Sequence, residues 1–266
     1  MLTRAGKAGD YFFIVGCPRS GTTLLSVLLD RHTRLCIPPE TAFFDEVAPL
    51  LVPNDQNVLL GVLRGWPRLG ELNLEPEAVA KRLRNGKWRP ADVLAAILDL
   101  YAVAQIKARC GEKTPQHLMH VQTILTQFPG AKIICMLRDG RDAALSLSSM
   151  PWWPKGSLES AADMWILSSR LTRTFALQYP DQFRIVRYED LVTDPKQELA
   201  SVMDYLSETF EPVQLQTDSP SAVVLPRSLG WKRDALGPVN PIHVSQRRNT
   251  ATARELAFLF WQLGVE

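Results

Sequence analysis

The turn between Gly16 and Thr23 constrains this chain more than any other stretch. Tyr11–Gly16 is a short aromatic and β-branched run that ends on a glycine, and Thr22–Asp30 follows with apolar residues at helical spacing. Strand, tight turn and helix in that order point the helix's first N–H groups at the space over the turn, where an anion is favoured. The turn reads Pro18-Arg19-Ser20-Gly21-Thr22-Thr23. Gly21 permits the bend, Ser20, Thr22 and Thr23 add hydroxyl donors, and Arg19 brings a full positive charge. The hydroxyls could instead serve only as helix caps; a strand before, a helix after and an arginine inside favour the anion. A Walker A loop has Gly-x-x-x-x-Gly-Lys-Ser/Thr, and here Gly16 and Gly21 keep the spacing while Thr22 stands where the lysine belongs. A second apolar run ends on Arg138 rather than on an acidic magnesium ligand, with Asp139 next to it, which disfavours metal-assisted phosphoryl transfer. No metal site is expected.

Two further runs, Lys132–Leu137 and Phe183–Tyr188, read as buried strands that feed helices. Long amphipathic helices are predicted after Pro90 and Ser157, both in plausible cap positions, and a last helix from about Thr250 to Leu263. Strands separated by helices imply a P-loop-like central parallel β-sheet flanked by helices on both faces, a three-layer α/β/α fold. At 266 residues the chain is long enough for one large core, and a single domain over 1–266 is expected. Residues 49–90, rich in Pro, Gly and Trp, read as a variable loop-plus-helix excursion, and 217–245 as an irregular segment of the kind that covers a site.

Thirty Lys+Arg against 28 Asp+Glu give a net charge of +2, too balanced for a protein that coats nucleic acid or an anionic membrane. The four cysteines lack the paired spacing of zinc or redox motifs. The longest apolar stretch, Val93–Ala104, is short of a membrane span and is broken by Asp99. A cytoplasmic chain without a membrane span is the expectation.

Pro18–Thr23 after a strand, together with Arg138-Asp139-Gly140-Arg141-Asp142 and the residues up to Ser146, resembles the two phosphosulfate-binding signatures of sulfotransferases that use 3′-phosphoadenosine 5′-phosphosulfate. The resemblance runs from about Tyr11 to Arg233. It implies that Arg19, Ser20, Gly21, Thr22 and Thr23 cradle the 5′-phosphosulfate, and that Arg138, with Ser146 eight positions later, binds the 3′-phosphate. The alternative for Arg138–Asp142 is a surface ion-pair cluster. Arg19, where cytosolic small-molecule enzymes have lysine, makes the chain look like the tyrosylprotein and bacterial branch. Glu40, in Pro39-Glu40-Thr41, matches the position of that branch's general base, and its apolar neighbours Phe43 and Phe44 suggest a raised pKa. Lys113, in Gly111–Pro115, resembles the lysine that meets the bridging oxygen. The cytosolic branch's catalytic His would fall on Pro115, leaving His117 as the alternative base. Tyr188 is implied as a secondary nucleotide contact, Lys232 and Arg233 as part of a late loop over the 3′-phosphate. Leu24 stands where the cytosolic branch has an adenine-stacking Trp.

The implied reaction is sulfuryl transfer to a hydroxyl acceptor, whether small molecule, glycan or peptide. A variant P-loop kinase and a catalytically silent nucleotide-binding module are the alternatives. Lys81–Arg89 is a basic run that could steer an acidic acceptor or simply be a solvated helix face, and Met150–Pro154 could wall an acceptor or form a packed hinge.

Overall fold

The run Phe12–Gly16 forms a fully buried strand, β1, because both of its faces meet apolar layers. Phe13 and Val15 point into one cluster, with Val93, Leu94 and Ile97 of the helix Pro90–Ala104. Phe12 and Ile14 point into the other, with Leu25, Leu28 and Leu29 of the helix Thr22–Asp30 and Leu199, Val202 and Met203 of the helix Pro195–Tyr205. This near-continuous apolar run is what a strand covered on both faces needs. The computed structural model describes residues 11–83, 87–154, 157–216, 237–239 and 244–264.

Five strands make one parallel sheet: β1, β2 (Leu35–Cys36), β3 (Arg109–Lys113), β4 (Lys132–Leu137) and β5 (Phe183–Arg187), in spatial order β2-β3-β1-β4-β5. Helices cover both faces, so the expected three-layer α/β/α arrangement is found. β1 lies at the centre, with Ile14 opposite Lys113 of β3 on one side and Ile134 of β4 on the other. The chain first winds outward to β2 and β3, then crosses to β4 and β5, which makes β1 the switch point where α/β sheets bind ligands beyond their carboxyl ends.

β2, only two residues long, is too short to stand out in the sequence, and two larger features also differ from the sequence reading. β3 carries no strand signal in the sequence: Arg-Cys-Gly-Glu-Lys has neither an apolar run nor alternation, yet Cys110, Gly111, Glu112 and Lys113 are buried because polar partners meet both Glu112 and Lys113. The excursion, expected to combine loop and helix, is more regular than that and holds three helices, Gln56–Arg64, Pro67–Glu71 and Pro76–Leu83. Their Leu59, Leu63, Trp66, Leu69 and Val79 join the same cluster as Phe13 and Val15. Asp55 caps the first of them through the N–H groups of Asn57 and Val58. The last helix runs Ala253–Leu263, with Thr252 and Glu255 forming a capping box. Among the described residues no helix is long and apolar enough to cross a membrane.

Candidate active site

The turn after β1 has the geometry of an anion cradle. Arg19 and Gly21 both adopt left-handed backbone, φ 72° and 94°, and Ser20 N–H closes the turn onto Cys17 O at 3.1 Å. At Gly16, a Cβ would lie 2.4 Å from Met136 O of β4, so only glycine lets the two strands close up there. At Gly21, a Cβ would lie 2.5 Å from the Tyr188 ring, in a backbone region that side chains rarely adopt. Gly21 stands at the N-cap of the helix Thr22–Asp30 and has no side chain, so no cap from that position covers the first-turn N–H groups. Ser20 Oγ is fully buried and has no hydrogen-bond partner among the described residues. A buried hydroxyl without a partner, beside uncapped helix N–H groups, fits a bound anion.

The second motif meets the first. Arg19 Nε donates to Ser146 Oγ at 3.2 Å, and an Arg138 N–H donates to Arg19 O at 3.2 Å. The Arg138 guanidinium stacks 4.4 Å over the Tyr188 ring, and Trp165 Nε1 donates to Arg138 O at 2.9 Å. Burial pushes the Tyr188 hydroxyl up, with Arg138 opposing, so Tyr188 is a neutral platform. Arg19, Ser20, Gly21, Arg138, Ser146 and Tyr188 thus gather into one group. Thr22 is buried and Thr23 half-buried at the start of the helix. Lys232 and Arg233 lie outside the described residues.

The two acids of the second motif turn elsewhere. Asp139 caps the helix Gly140–Ser148 through Arg141 N–H and pairs with the Arg141 and Arg248 side chains at 2.7 and 2.9 Å. Burial would raise the Asp139 carboxyl, but those two guanidinium groups hold it below the usual range. Buried Asp142 pairs with Arg248 at 2.7 Å and accepts from its backbone N–H. Arg138 and Ser146 contact the cradle through Arg19, while the acids form an ion-pair cluster holding the helix Gln246–Thr250.

Beside β1, at the carboxyl end of β3, Lys113 Nζ donates to Glu40 Oε1 at 2.6 Å. Lys113 is 1% exposed, and the Glu40 side chain is 24% exposed. The immediate contact of the Glu40 carboxylate is thus an ammonium, rather than the apolar setting its neighbours suggested. His117 is fully buried, with Nδ1 2.8 Å from Glu112 Oε2 and Nε2 3.3 Å from the Phe44 N–H, so neither nitrogen is open to an acceptor. Leu24 is half-buried and packs against the cluster that holds Phe12 and Ile14. Cys17, next to the cradle, is pushed up to about 12 by burial and is no thiolate nucleophile at neutral pH.

Sequence reasoning missed three residues near this centre. Glu112, within β3, carries no motif of its own. Arg68 donates to Glu40 O at 3.1 Å and makes a two-pronged pair with Glu46, linking the excursion to the Glu40 loop. Arg248 is invisible to motif reading because its partners lie in another element. Within the basic run, Arg82 on the helix Pro76–Leu83 meets Asp99, and Arg89, at the start of the helix Pro90–Ala104, meets Asp92. Trp153 packs down through Ser157 O and Ser160 Oγ, whereas Trp152 is 46% exposed.

The sequence pattern of the sulfotransferase family matches residues 11–212, which takes in β1 to β5 and all of the gathered side chains. The chain belongs to the sulfotransferase family. It is 26% identical to protein-tyrosine sulfotransferase 1 of Danio rerio over 73% of its own length and 52% of that protein's. It is 25% identical to protein-tyrosine sulfotransferase 2 of Gallus gallus over 89% of its own length and 62% of that protein's. The chain therefore spans between half and two thirds of these relatives. In structure it is similar to the sulfotransferase domain of the Synechococcus PCC 7002 olefin synthase, with TM-score 0.65, 23% identity, and 99% and 98% of the two chains covered. The sulfotransferase domain from the curacin biosynthetic pathway gives TM-score 0.62 at 22% identity, covering 97% and 98%. At these identities the two structures bear on the fold.

Proposed function

We propose that this chain moves a sulfuryl group from 3′-phosphoadenosine 5′-phosphosulfate to a hydroxyl acceptor, giving a sulfate ester and 3′,5′-adenosine bisphosphate. The observation that carries the reading is the Glu40–Lys113 pair beside the anion cradle: a loop carboxylate that can accept a proton, 2.6 Å from an ammonium on the strand next to β1. A silent nucleotide-binding module has no use for such a pair. The nucleotide, when bound, supplies the sulfuryl group and a phosphate leaving group. Ser20, Thr22, Thr23 and the N–H groups of the first helical turn hold the 5′ end, with Arg19 supplying charge. Arg138 and Ser146 hold the 3′-phosphate, and Tyr188 orients Arg138. Lys232 and Arg233 are retained as contacts on the strength of the motif alone.

Glu40 accepts the proton of the acceptor hydroxyl as the new S–O bond forms. Lys113 leaves Glu40 and donates to the bridging oxygen, on which the electron pair of the breaking S–O bond settles. The charge is met by Lys113 and Arg19, so the scheme needs no metal. We take His117 as structural, since both its nitrogens are engaged. We further take 1–266 as one domain and the chain as cytoplasmic, a setting that suits four buried, unpaired thiols. The test is release of the bisphosphate from phosphosulfate, with water and a panel of phenols as acceptors. Glu40→Gln should lower turnover by about 10²–10⁴-fold while the bisphosphate binds as before. Unchanged turnover in that variant would show that Glu40 is not the base.

A further inference from the structure

The loop that carries Glu40 is fastened to β3 by a chain of buried polar groups centred on Glu112. Glu112 is fully buried, and its Oε1 accepts from Thr41 Oγ1 at 2.8 Å and from Thr114 Oγ1 at 2.7 Å. Its Oε2 meets His117 Nδ1 at 2.8 Å. The same three partners then reach the loop's backbone. Thr114 Oγ1 accepts from Ala42 N–H at 3.0 Å, Thr41 Oγ1 from Phe43 N–H at 3.2 Å, and His117 Nε2 from Phe44 N–H at 3.3 Å. Every peptide N–H from Ala42 to Phe44 is therefore held by a side chain that itself bonds Glu112 or answers to it. Ala42 needs that hold, because it sits in left-handed backbone at φ 47° without being a glycine.

Glu112 is the residue before Lys113, and Thr41 is the residue after Glu40. In an extended strand neighbouring side chains point to opposite faces, so Glu112 fixes the loop from one side while Lys113 meets the Glu40 carboxylate from the other. We propose that Glu112, acting through Thr41, Thr114 and His117, is the positioning residue that sets the Glu40–Lys113 approach. None of the four touches the reacting atoms; each acts through the backbone of residues 41–44. The catalytic consequence rests on the sulfuryl-transfer reading, whereas the geometric claim stands apart from it.

Thr114→Val removes one hydroxyl at constant shape, severing Glu112 from Ala42 N–H, and Thr114→Ser keeps the hydroxyl. In Thr114→Val the crystal structure should show Glu40 Oε1 drawn out of hydrogen-bond distance from Lys113 Nζ. Turnover of phosphosulfate with water as acceptor should fall about 100-fold, with KM for phosphosulfate and affinity for the bisphosphate unchanged. Thr114→Ser should restore both the distance and the rate, a rescue that general loss of stability does not give. Thr41→Val and Thr41→Ser are read in the same way if the first variant does not fold. An intact Glu40–Lys113 pair in the severed variant, or turnover equal to that of the natural chain, overturns the proposal. If the natural chain neither binds the bisphosphate nor releases it from phosphosulfate, the sulfuryl-transfer reading fails, and the crystallographic distance alone decides the positioning claim.

Discussion

Two backbone conformations in the turn after β1 decide where charge can be placed. Arg19 at φ 72° sends its guanidinium toward Ser146, and Gly21 at φ 94° starts the helix beneath the Tyr188 ring. A methyl at Gly21 meets Tyr188 at 2.5 Å in an unfavourable backbone region, so Gly21→Ala should cost about 1–3 kcal/mol. It should also weaken binding of the bisphosphate, because Tyr188 supports Arg138. Denaturant unfolding with calorimetry checks both, and an unchanged protein contradicts the packing described. At this scale the sequence was most legible where a side chain sits in a motif whose spacing is fixed by a turn or a helix. Arg19, Gly21, Arg138 and Ser146 belong to that class, and the structure gathers them. Glu112 was not legible, since a carboxylate in an unremarkable polar stretch gives no sign that Thr41, 71 residues away, will join the nearby Thr114 and His117 in satisfying it.

Elements were readable in proportion to their apolar pattern. β1, β4 and β5 stood out as apolar runs, and the helices after Pro90 and Ser157 begin where proline and serine marked them. β3 did not, for its charged ends are tolerated only by partners outside the strand. The helix Gln246–Thr250 is an element held by long-range charge: Arg248 bridges Asp139 and the buried Asp142 across more than a hundred residues of sequence. Arg248→Ala leaves Asp142 without its guanidinium and should destabilise the protein by about 1–3 kcal/mol. Hydrogen exchange should rise in residues 246–250 before it rises in the sheet. Uniform exchange across both would show that the ion pair does not hold that helix.

At the scale of the whole molecule, a parallel sheet with its switch point at β1 brings the ends of β1, β3, β4 and β5 to one rim, so that residues far apart in sequence share one site. Several carboxylates are stabilised by partners that the fold brings close. Burial alone would raise Glu112, but the adjacent His117, with hydrogen bonds from His117, Thr114 and Thr41, outweighs it and holds the carboxyl below the usual range. Asp139 and Glu46 are likewise held low, by Arg141 with Arg248 and by Arg68. A depressed carboxyl contributes stability that is in full effect above its unfolded pKa and is lost as pH falls through the folded value. Thermal midpoints should therefore fall on acidification below the ordinary carboxylate range, and Glu112→Gln should flatten that slope while lowering the midpoint at neutral pH. An identical slope in the variant would remove Glu112 from the account. The central claim is that the rim binds a nucleotide carrying a 3′-phosphate. Its most direct test is calorimetric titration with 3′,5′-adenosine bisphosphate without magnesium, against ATP with magnesium, repeated on Arg138→Ala. The account predicts tight binding of the bisphosphate, weakened by Arg138→Ala; binding of ATP with magnesium alone would contradict it.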